Sequence, residues 1–477
     1  MKRRFPMGWL LGAIALLAIA LSRGIFSPYS LWLDELATVH LLRADQGLWT
    51  ALLHDNFPPL YFYLLKGWAA IFGQSEVVLR LPSLLAVAAA LVVLGRYVYR
   101  YEDRGVWPFV AVALVGTLPT VAFSAQEVRP YALLLFFSAL LTTNALALLQ
   151  DPAKKDPLFS LPVYVASAIL LSLTHYFGLI LALLLLGLGV LFMAPRLRVV
   201  NGGLILLMMI WPIFHITQGQ LLSQAGGNFW IQVPPVIGTL KVFIVTCPFL
   251  VLLPLLLPLL WWGPSAAAGS SPPQADRSLA YLLTVFFGFV GLMLLLDLHT
   301  PLSIPRYYVA IIPAAALLVV KLAHALLNAS LSPWLPRVFL LAILLLILAQ
   351  GVKAQQRLSL KMAPDQNWKH LAAVVRATGL CRDGCDALGY TQWGNYYFAG
   401  LRLTLLDAPP PATSPLKRPL LGFHSSMGAI PAILTAHPSA VCLEPRQSLP
   451  SSTFMILPPD AKERLLGRLD LIPCRLS

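Results

Sequence analysis

Long apolar stretches, each closed by a short polar turn, follow one another from the N-terminus to about Val352. Within them Leu, Ala, Val and Ile fill nearly every position, and no polar face recurs. A helix that is apolar on all sides is a membrane span or the centre of a large bundle. Crossing about 30 Å of hydrocarbon takes about 20 such residues. The pattern predicts spans at about Pro6–Leu21, Glu76–Val98, Trp107–Phe123, Tyr131–Leu149, Leu161–Leu173, Gly178–Met193, Gly203–Thr217, Val236–Trp261, Leu279–Leu296, Tyr307–Ala323 and Val338–Val352, roughly eleven in all. Leu60–Phe72 is apolar but short and carries Lys66. Its length fits a helix lying on the membrane surface, within a first outer loop Leu31–Gly73.

After Val352 the pattern changes. Residues 353–477 mix polar and apolar positions and hold no apolar run long enough to span. Gln366-Asn367-Trp368-Lys369-His370 leads into a helical period that ends near Thr378-Gly379. Ala387–Tyr390 and Phe454–Ile456 read as short strands. The expected architecture is a mainly α polytopic membrane protein: a transmembrane domain over residues 1–352 and a small soluble α/β domain over 353–477.

Composition agrees. The chain is 58% hydrophobic and 11% charged, with a mean hydropathy of +0.76, which excludes an ordinary soluble domain. A net charge of +14 would point to nucleic acid in a soluble protein. In a polytopic protein it is explained by Lys and Arg in cytoplasmic loops, and no nucleic-acid partner is expected. Met1-Lys2-Arg3-Arg4 opens like a secretory signal, but no small-residue cleavage site follows, so the first span is read as retained with its N-terminus inside. Counting from there puts Lys154-Lys155, Arg196 with Arg198, Arg277 and Arg337 inside. The turns Ser124–Tyr131, Thr174–Gly178, Gln224–Trp230 and Asp297–Tyr308 then fall outside with the first loop and the C-terminal domain. That places the chemistry on the periplasmic side of an inner membrane. Four of the five cysteines lie in the outer domain, where disulfides are permitted. Four allow three pairings; Cys381 with Cys385 and Cys442 with Cys474 is the favoured one.

Against so apolar a background the polar clusters in the outer turns stand out. Asp34-Glu35 follows the first span. Acids at a helix start suit the positive helix end, but a carboxylate at a low-dielectric boundary can also serve as a general base. His54-Asp55-Asn56 before Pro58-Pro59 is a turn cluster by composition and a site candidate by position. Glu127 and Arg129, just before Pro130-Tyr131, form either a bundle-capping ion pair or a grip on phosphate, which a guanidinium binds bidentately. Arg306, followed by Tyr307-Tyr308, lies outside against the usual charge bias. It reads as a snorkelling residue in an aromatic belt or as a second cation for an anionic lipid head. His175-Tyr176 is an interfacial aromatic pair or part of the same site.

Taken in order, Leu33-Asp34-Glu35, Asp55-Asn56-Phe57-Pro58-Pro59-Leu60-Tyr61, Gln126-Glu127-Val128-Arg129-Pro130-Tyr131, Thr174-His175-Tyr176 and Arg306-Tyr307 resemble the bacterial C-type membrane glycosyltransferases, the superfamily of protein mannosyltransferases and aminoarabinose lipid A transferases. The resemblance spans roughly Met1 to Val352. It implies inverting transfer of a hexosyl or pentosyl group from a polyprenyl-phosphate donor to a hydroxyl on a lipid, glycan or protein acceptor. It also implies that Asp34, with Glu35 beside it, is the catalytic carboxylate. His54, Asp55, Pro58, Glu127, Arg129, Tyr131, His175, Tyr176, Arg306 and Tyr307 would bind substrate. Some relatives carry Glu-Lys before the proline pair where this chain has Asn56-Phe57, which tells against an aminoarabinose-specific enzyme. No multi-carboxylate constellation is evident, and no required metal or other cofactor is expected. Two other classes compete: an outer-face glycan ligase or polymerase, which would transfer a chain instead of one sugar, and a lipid or sugar transporter. Transporters place ionisable groups at the bilayer midplane, whereas here these groups sit at loop edges.

Overall fold

The computed structural model describes residues 5–26, 30–44, 47–151, 156–218, 236–252, 277–299, 301–328, 335–361, 368–388, 390, 395–411, 416–423, 429–445, 454–458 and 471–474. They fall into two compact units. The first joins Met1–Ile25 to Gln46–Leu358, and the second joins Phe26–Asp45 to Ser359–Ser477. Compactness therefore divides the chain differently from composition. Part of the first polar loop, including Asp34 and Glu35, folds with the C-terminal residues. The expected outer turn Gln224–Trp230, the pair Lys154-Lys155 and the distal part of the Val236–Trp261 span lie outside the described residues.

The first unit is a helical bundle. Among the described residues six helices are long and apolar enough to cross a membrane: Glu76–Glu102, Tyr131–Gln150, Pro195–Thr217, Arg277–His299, Pro305–His324 and Val338–Gln356. Other expected spans are shorter helices, such as Met7–Ser22, Leu161–Ser172 and Tyr176–Phe192. One expected span is broken at a proline. The expected Trp107–Phe123 span divides into Trp107–Gly116 and Pro119–Ser124. Leu118 is extended there because a residue before proline is pushed out of the helical region, and Pro119 has no N–H to continue the ladder. Leu60–Phe72 forms the short helix expected of it.

Tyr131–Gln150 and residues 312–324 run through the middle of this unit, with their apolar side chains buried on nearly every side. Pro195–Thr217 and Val338–Gln356 instead expose Leu206, Ile210, Ile213, Leu341, Leu344 and Leu348. Such surfaces are stable only against lipid or another apolar phase. Glu76–Tyr97 packs along Tyr131–Gln150 and links two polar ends. At one end Ser83 meets the Glu127 carbonyl. At the other, about 20 Å along the helix axis, Arg96 and Arg100 reach Asp156 at 3.1 and 3.3 Å. Nearby, buried Lys321 pairs with Glu102 at 2.7 Å, and Gln150 donates to the same carboxylate at 3.0 Å. The bundle thus does hold an internal charge pair, and that pair lies away from the outer-turn residues singled out above.

The second unit carries a six-stranded mixed sheet of β1 (Cys385–Leu388), β2 (Leu403–Leu406), β3 (Leu420–Gly422), β4 (Val441–Pro445), β5 (Phe454–Leu457) and β6 (Leu471–Pro473). The order is β2-β1-β3-β5-β4-β6. β1 is parallel to β2 and β3, and the remaining pairs are antiparallel. Trp368 at the head of helix Trp368–Thr378 packs among Tyr390, Phe398 and Phe423. Both favoured disulfides, Cys381–Cys385 and Cys442–Cys474, are present, and Cys247 is free and buried. Helix Leu33–Leu42 joins this unit through two tyrosines. The Leu31 N–H donates to the Tyr397 hydroxyl at 2.7 Å, and the Arg43 guanidinium lies 5.0 Å from the Tyr396 ring.

Candidate functional site

Two irregular segments bring the cations together in the first unit. The first is Ala125–Pro130, the link between helices Pro119–Ser124 and Tyr131–Gln150, and every residue in it is buried. A buried loop needs partners for its backbone polar groups. Ser83 donates to the Glu127 carbonyl, and the neighbouring helix end is tied by Gln126 Nε2 to the Ala122 carbonyl at 2.7 Å. The loop is held, and Arg129 with it.

The second segment precedes Arg306. Asp297, near the end of helix Arg277–His299, accepts from the N–H groups of Leu302 and Ser303 at 2.8 and 3.1 Å and from the Thr239 hydroxyl. Ser303 Oγ in turn meets the Tyr308 hydroxyl at 2.6 Å. One buried carboxylate thereby shapes the turn that delivers Arg306 on the 3-10 helix Pro305–Ile311. Asp297 stood in the turn named from sequence but was not singled out there, because its role depends on folding the chain back on itself.

Aromatic rings connect the two arginines. Arg129 lies 4.6 Å from the centroid of Phe57. Phe57 meets His175 edge-on at 5.3 Å, and His175 lies 5.6 Å from Tyr131 and 5.4 Å from Tyr307. Arg306 lies 5.6 Å from Tyr131 and 5.9 Å from Tyr307. Fixed cations packed on ring faces gain cation–π attraction and lose mobility. Asp55 adds a carboxylate that interacts electrostatically with Arg129, and buried Glu127 interacts in the same way with Tyr131. Burial pushes the Asp55 carboxyl above the ordinary carboxylate range. Arg129, the Asn56 and Phe57 N–H groups and His215 pull it back.

His175 is the best-defined member. It precedes helix Tyr176–Phe192, and its Nδ1 accepts the Phe177 N–H at 3.1 Å. A backbone N–H can only donate, so Nδ1 carries no proton and the neutral ring holds its proton on Nε2. Burial, followed by repulsion from Arg129 and Arg306, holds its pKa far below the usual histidine value. The imidazole is therefore neutral at any physiological pH.

The structure thus assembles Asp55, Glu127, Arg129, Tyr131, His175, Arg306 and Tyr307 into one constellation, with Phe57 as an added member. It places the other expected residues elsewhere. Tyr176 turns to a neighbouring cluster, 2.5 Å from His215 Nδ1, where Trp211 and Trp49 also pack and which meets the constellation through the electrostatic interaction of His215 with Asp55. His54 is exposed at the end of helix Leu48–Leu53, and Pro58 is buried in the turn. In the second unit Glu35 is fully buried, and its Oε2 accepts the Trp32 N–H at 3.1 Å. That is the helix-capping use of an acid at this position. Asp34, one residue earlier, is only half-buried. His215 was not anticipated, because it lies within an apolar run with nothing local to mark it. Among the described residues no three His, Cys, Asp or Glu side chains converge as a metal-ligand set.

No protein-family model matches the chain, and no curated protein matches it. Solved structures do. ArnT from Cupriavidus metallidurans in the apo state aligns with a TM-score of 0.58 and 14% identity, over 94% of this chain and 98% of that one. The same protein bound to undecaprenyl phosphate gives a TM-score of 0.55 and 12% identity, over 95% and 98%. The mycobacterial arabinofuranosyltransferase AftD gives 0.50 and 12% identity, over 96% of this chain and 40% of its own. Similarity at this identity is similarity of backbone, and its near-complete coverage identifies the architecture: the chain has the fold of the C-type membrane glycosyltransferases.

Proposed function

We propose that this protein is an integral-membrane glycosyltransferase that moves a sugar from a polyprenyl-phosphate donor to a hydroxyl on a lipid, glycan or protein at the outer face of the inner membrane. The observation that carries the reading is the pair of guanidiniums, Arg129 on a buried loop and half-buried Arg306 on a 3-10 helix, bridged by Phe57, His175 and Tyr131. Two fixed cations in a water-poor setting suit a leaving phosphate, whose charge grows as the glycosidic bond breaks. A lipid carrier fits the surroundings. An apolar groove of about 170 Å³ lies between Tyr61, Leu65, Trp68, Ser83, Ala86 and Leu133, and Ser83 is the residue that holds the Glu127 carbonyl. Nucleotide sugars are cytosolic, so a site on the outer face would need a membrane-carried donor.

Within this reading Arg129 and Arg306 bind the departing phosphate, and a carboxylate takes the acceptor hydroxyl proton, the role that the family resemblance gives to Asp34. Inversion follows from direct displacement at the anomeric carbon, and no step calls on a metal. The sugar is a hexose or a pentose. The decisive assay is sugar transfer from a polyprenyl-phosphate donor by purified, folded protein. Arg129→Ala and Arg306→Ala should each lose about 10- to 100-fold in donor affinity or turnover, because a buried charge-assisted contact is worth about 1.5–3 kcal/mol. Normal kinetics in both variants would remove the two arginines from the site and the reading with them.

A further inference from the structure

We infer that His175 Nε2–H and the Tyr131 hydroxyl are neutral hydrogen-bond donors to a tetrahedral oxyanion between Arg129 and Arg306, namely the phosphate of a lipid phosphate. The inference rests on the proposed function and goes further by naming two uncharged groups that complete the phosphate site.

Both groups are buried, His175 at 4% exposure and Tyr131 at 0%. Neither His175 Nε2 nor the Tyr131 hydroxyl has a hydrogen-bond partner among the described residues. Buried polar atoms are nearly always paired, and each exception calls for an explanation. Among the several buried polar atoms left unpaired in the described residues, these two are on adjacent rings, 5.6 Å apart, and each ring experiences both guanidiniums. A lone buried donor could reflect local packing. Two donors beside two cations call for one acceptor rich in lone pairs and negative charge, and a phosphate monoester is such a group.

The neutrality of His175 follows from geometry. Its Nδ1 lone pair is taken by the Phe177 N–H, which commits Nε2 to donation. A third cation beside Arg129 and Arg306 would be repelled in the empty site and would hold the product phosphate too tightly to leave. A neutral donor adds direction without adding charge. Its bond strengthens as the phosphate oxygens gain charge, which favours the transition state over the ground state. Phe57, Phe177 and Tyr307 pack around the imidazole, so the ring cannot swing away to find water.

The test uses the full-length protein in nanodiscs, with a polyprenyl monophosphate as the probe. His175→Phe keeps a ring and removes the donor; His175→Gln returns an N–H close to the Nε2 position. Tyr131→Phe removes only the hydroxyl. His175→Phe and Tyr131→Phe should each weaken binding about 10-fold or more, with His175→Gln within about 3-fold of wild type. The ratio of wild-type to His175→Phe affinity should be flat from pH 6 to 8, since ionisation of the probe cancels in the ratio. Inorganic phosphate and the uncharged polyprenol should each compete poorly, because the lipid and the phosphate are recognised together. Unchanged binding in His175→Phe and Tyr131→Phe, with Arg129→Ala impaired, would overturn this inference and leave the proposed function standing. Unchanged binding in all three would overturn both. A ratio that grows as pH falls below about 6.5 would mean a charged imidazole and would equally overturn it, as would binding of inorganic phosphate in place of the lipid. If His175→Phe does not fold, Tyr131→Phe and His175→Gln carry the test.

Discussion

Asp34 and Glu35 are neighbours of the same chemical type, and the structure predicts that they fail differently when neutralised. Glu35 is fully buried and accepts the Trp32 N–H at 3.1 Å across the first turn of helix Leu33–Leu42. A hydrogen bond to a charged group contributes about 1.5–3 kcal/mol, and a neutral one about 0.5–1.5 kcal/mol. Glu35→Gln keeps an acceptor oxygen and loses the charge, so it should cost about 1 kcal/mol of stability. Glu35→Ala also leaves the Trp32 N–H without its acceptor and should cost about 2–3 kcal/mol. Asp34 is half-buried, and Asp34→Asn preserves its size, so stability should move by no more than about 0.5 kcal/mol. Activity should run the other way. With Asp34 in the proposed role of general base, whose removal costs about 10²- to 10⁴-fold in rate, Asp34→Asn should fold like wild type and transfer almost no sugar. Glu35→Gln should transfer within a few-fold of wild type at temperatures where it is folded. The measurement pairs a thermal unfolding midpoint with a transfer rate per folded molecule. If Glu35→Gln kept the wild-type midpoint and lost transfer while Asp34→Asn worked normally, the assignment would be reversed and the capping argument wrong.

Removing Asp297 should act through Arg306. Asp297→Ala frees the Leu302 and Ser303 N–H groups, and polyprenyl-phosphate binding should fall about as far as in Arg306→Ala itself, with no additivity in the double variant. Lys321→Ala should destabilise the bundle by about 1–3 kcal/mol by leaving Glu102 without its counter-charge and held only by Gln150 and Tyr97; combining Lys321→Met with Glu102→Gln should restore much of it, as read by unfolding midpoints. The depressed pKa of His175 fixes the sign of one pH effect. Its contribution to stability is complete above the unfolded value of about 6.5 and is lost as pH falls toward the folded value, at about 1.4 kcal/mol for each pH unit. Wild-type unfolding midpoints should therefore fall between pH 6.5 and 5 more steeply than those of His175→Gln, and parallel curves would show that the imidazole is already protonated in the folded state.

Hydrophobic pattern alone determined that this is a helical membrane protein with a small α/β unit after it. So many apolar runs of span length, with so few charges between them, are more than the centre of one soluble bundle could bury, and the change of composition after Val352 is abrupt. The helix Leu60–Phe72, the helix ending at Thr378 and strands β1 and β5 were legible because their signals are local. The number of long helices was not, since hydropathy sums over Leu118 and Pro119 without registering that the backbone breaks there. Candidate residues were legible as types in turns: Arg129 and Arg306 because charge is rare in such a chain, and His175 because it stands beside Tyr176 in a short polar turn. Only the tertiary structure decided which of them meet. Arg129, His175 and Arg306 are separated by 46 and 131 residues of sequence, and the packing of several helices sets their distances. Only the fold showed that Tyr176 turns away to His215, that Asp297 shapes the Arg306 turn, and that Phe26–Asp45 folds with the C-terminal residues. Local sequence specifies what a segment can form; long-range packing decides which buried polar groups find partners within the chain.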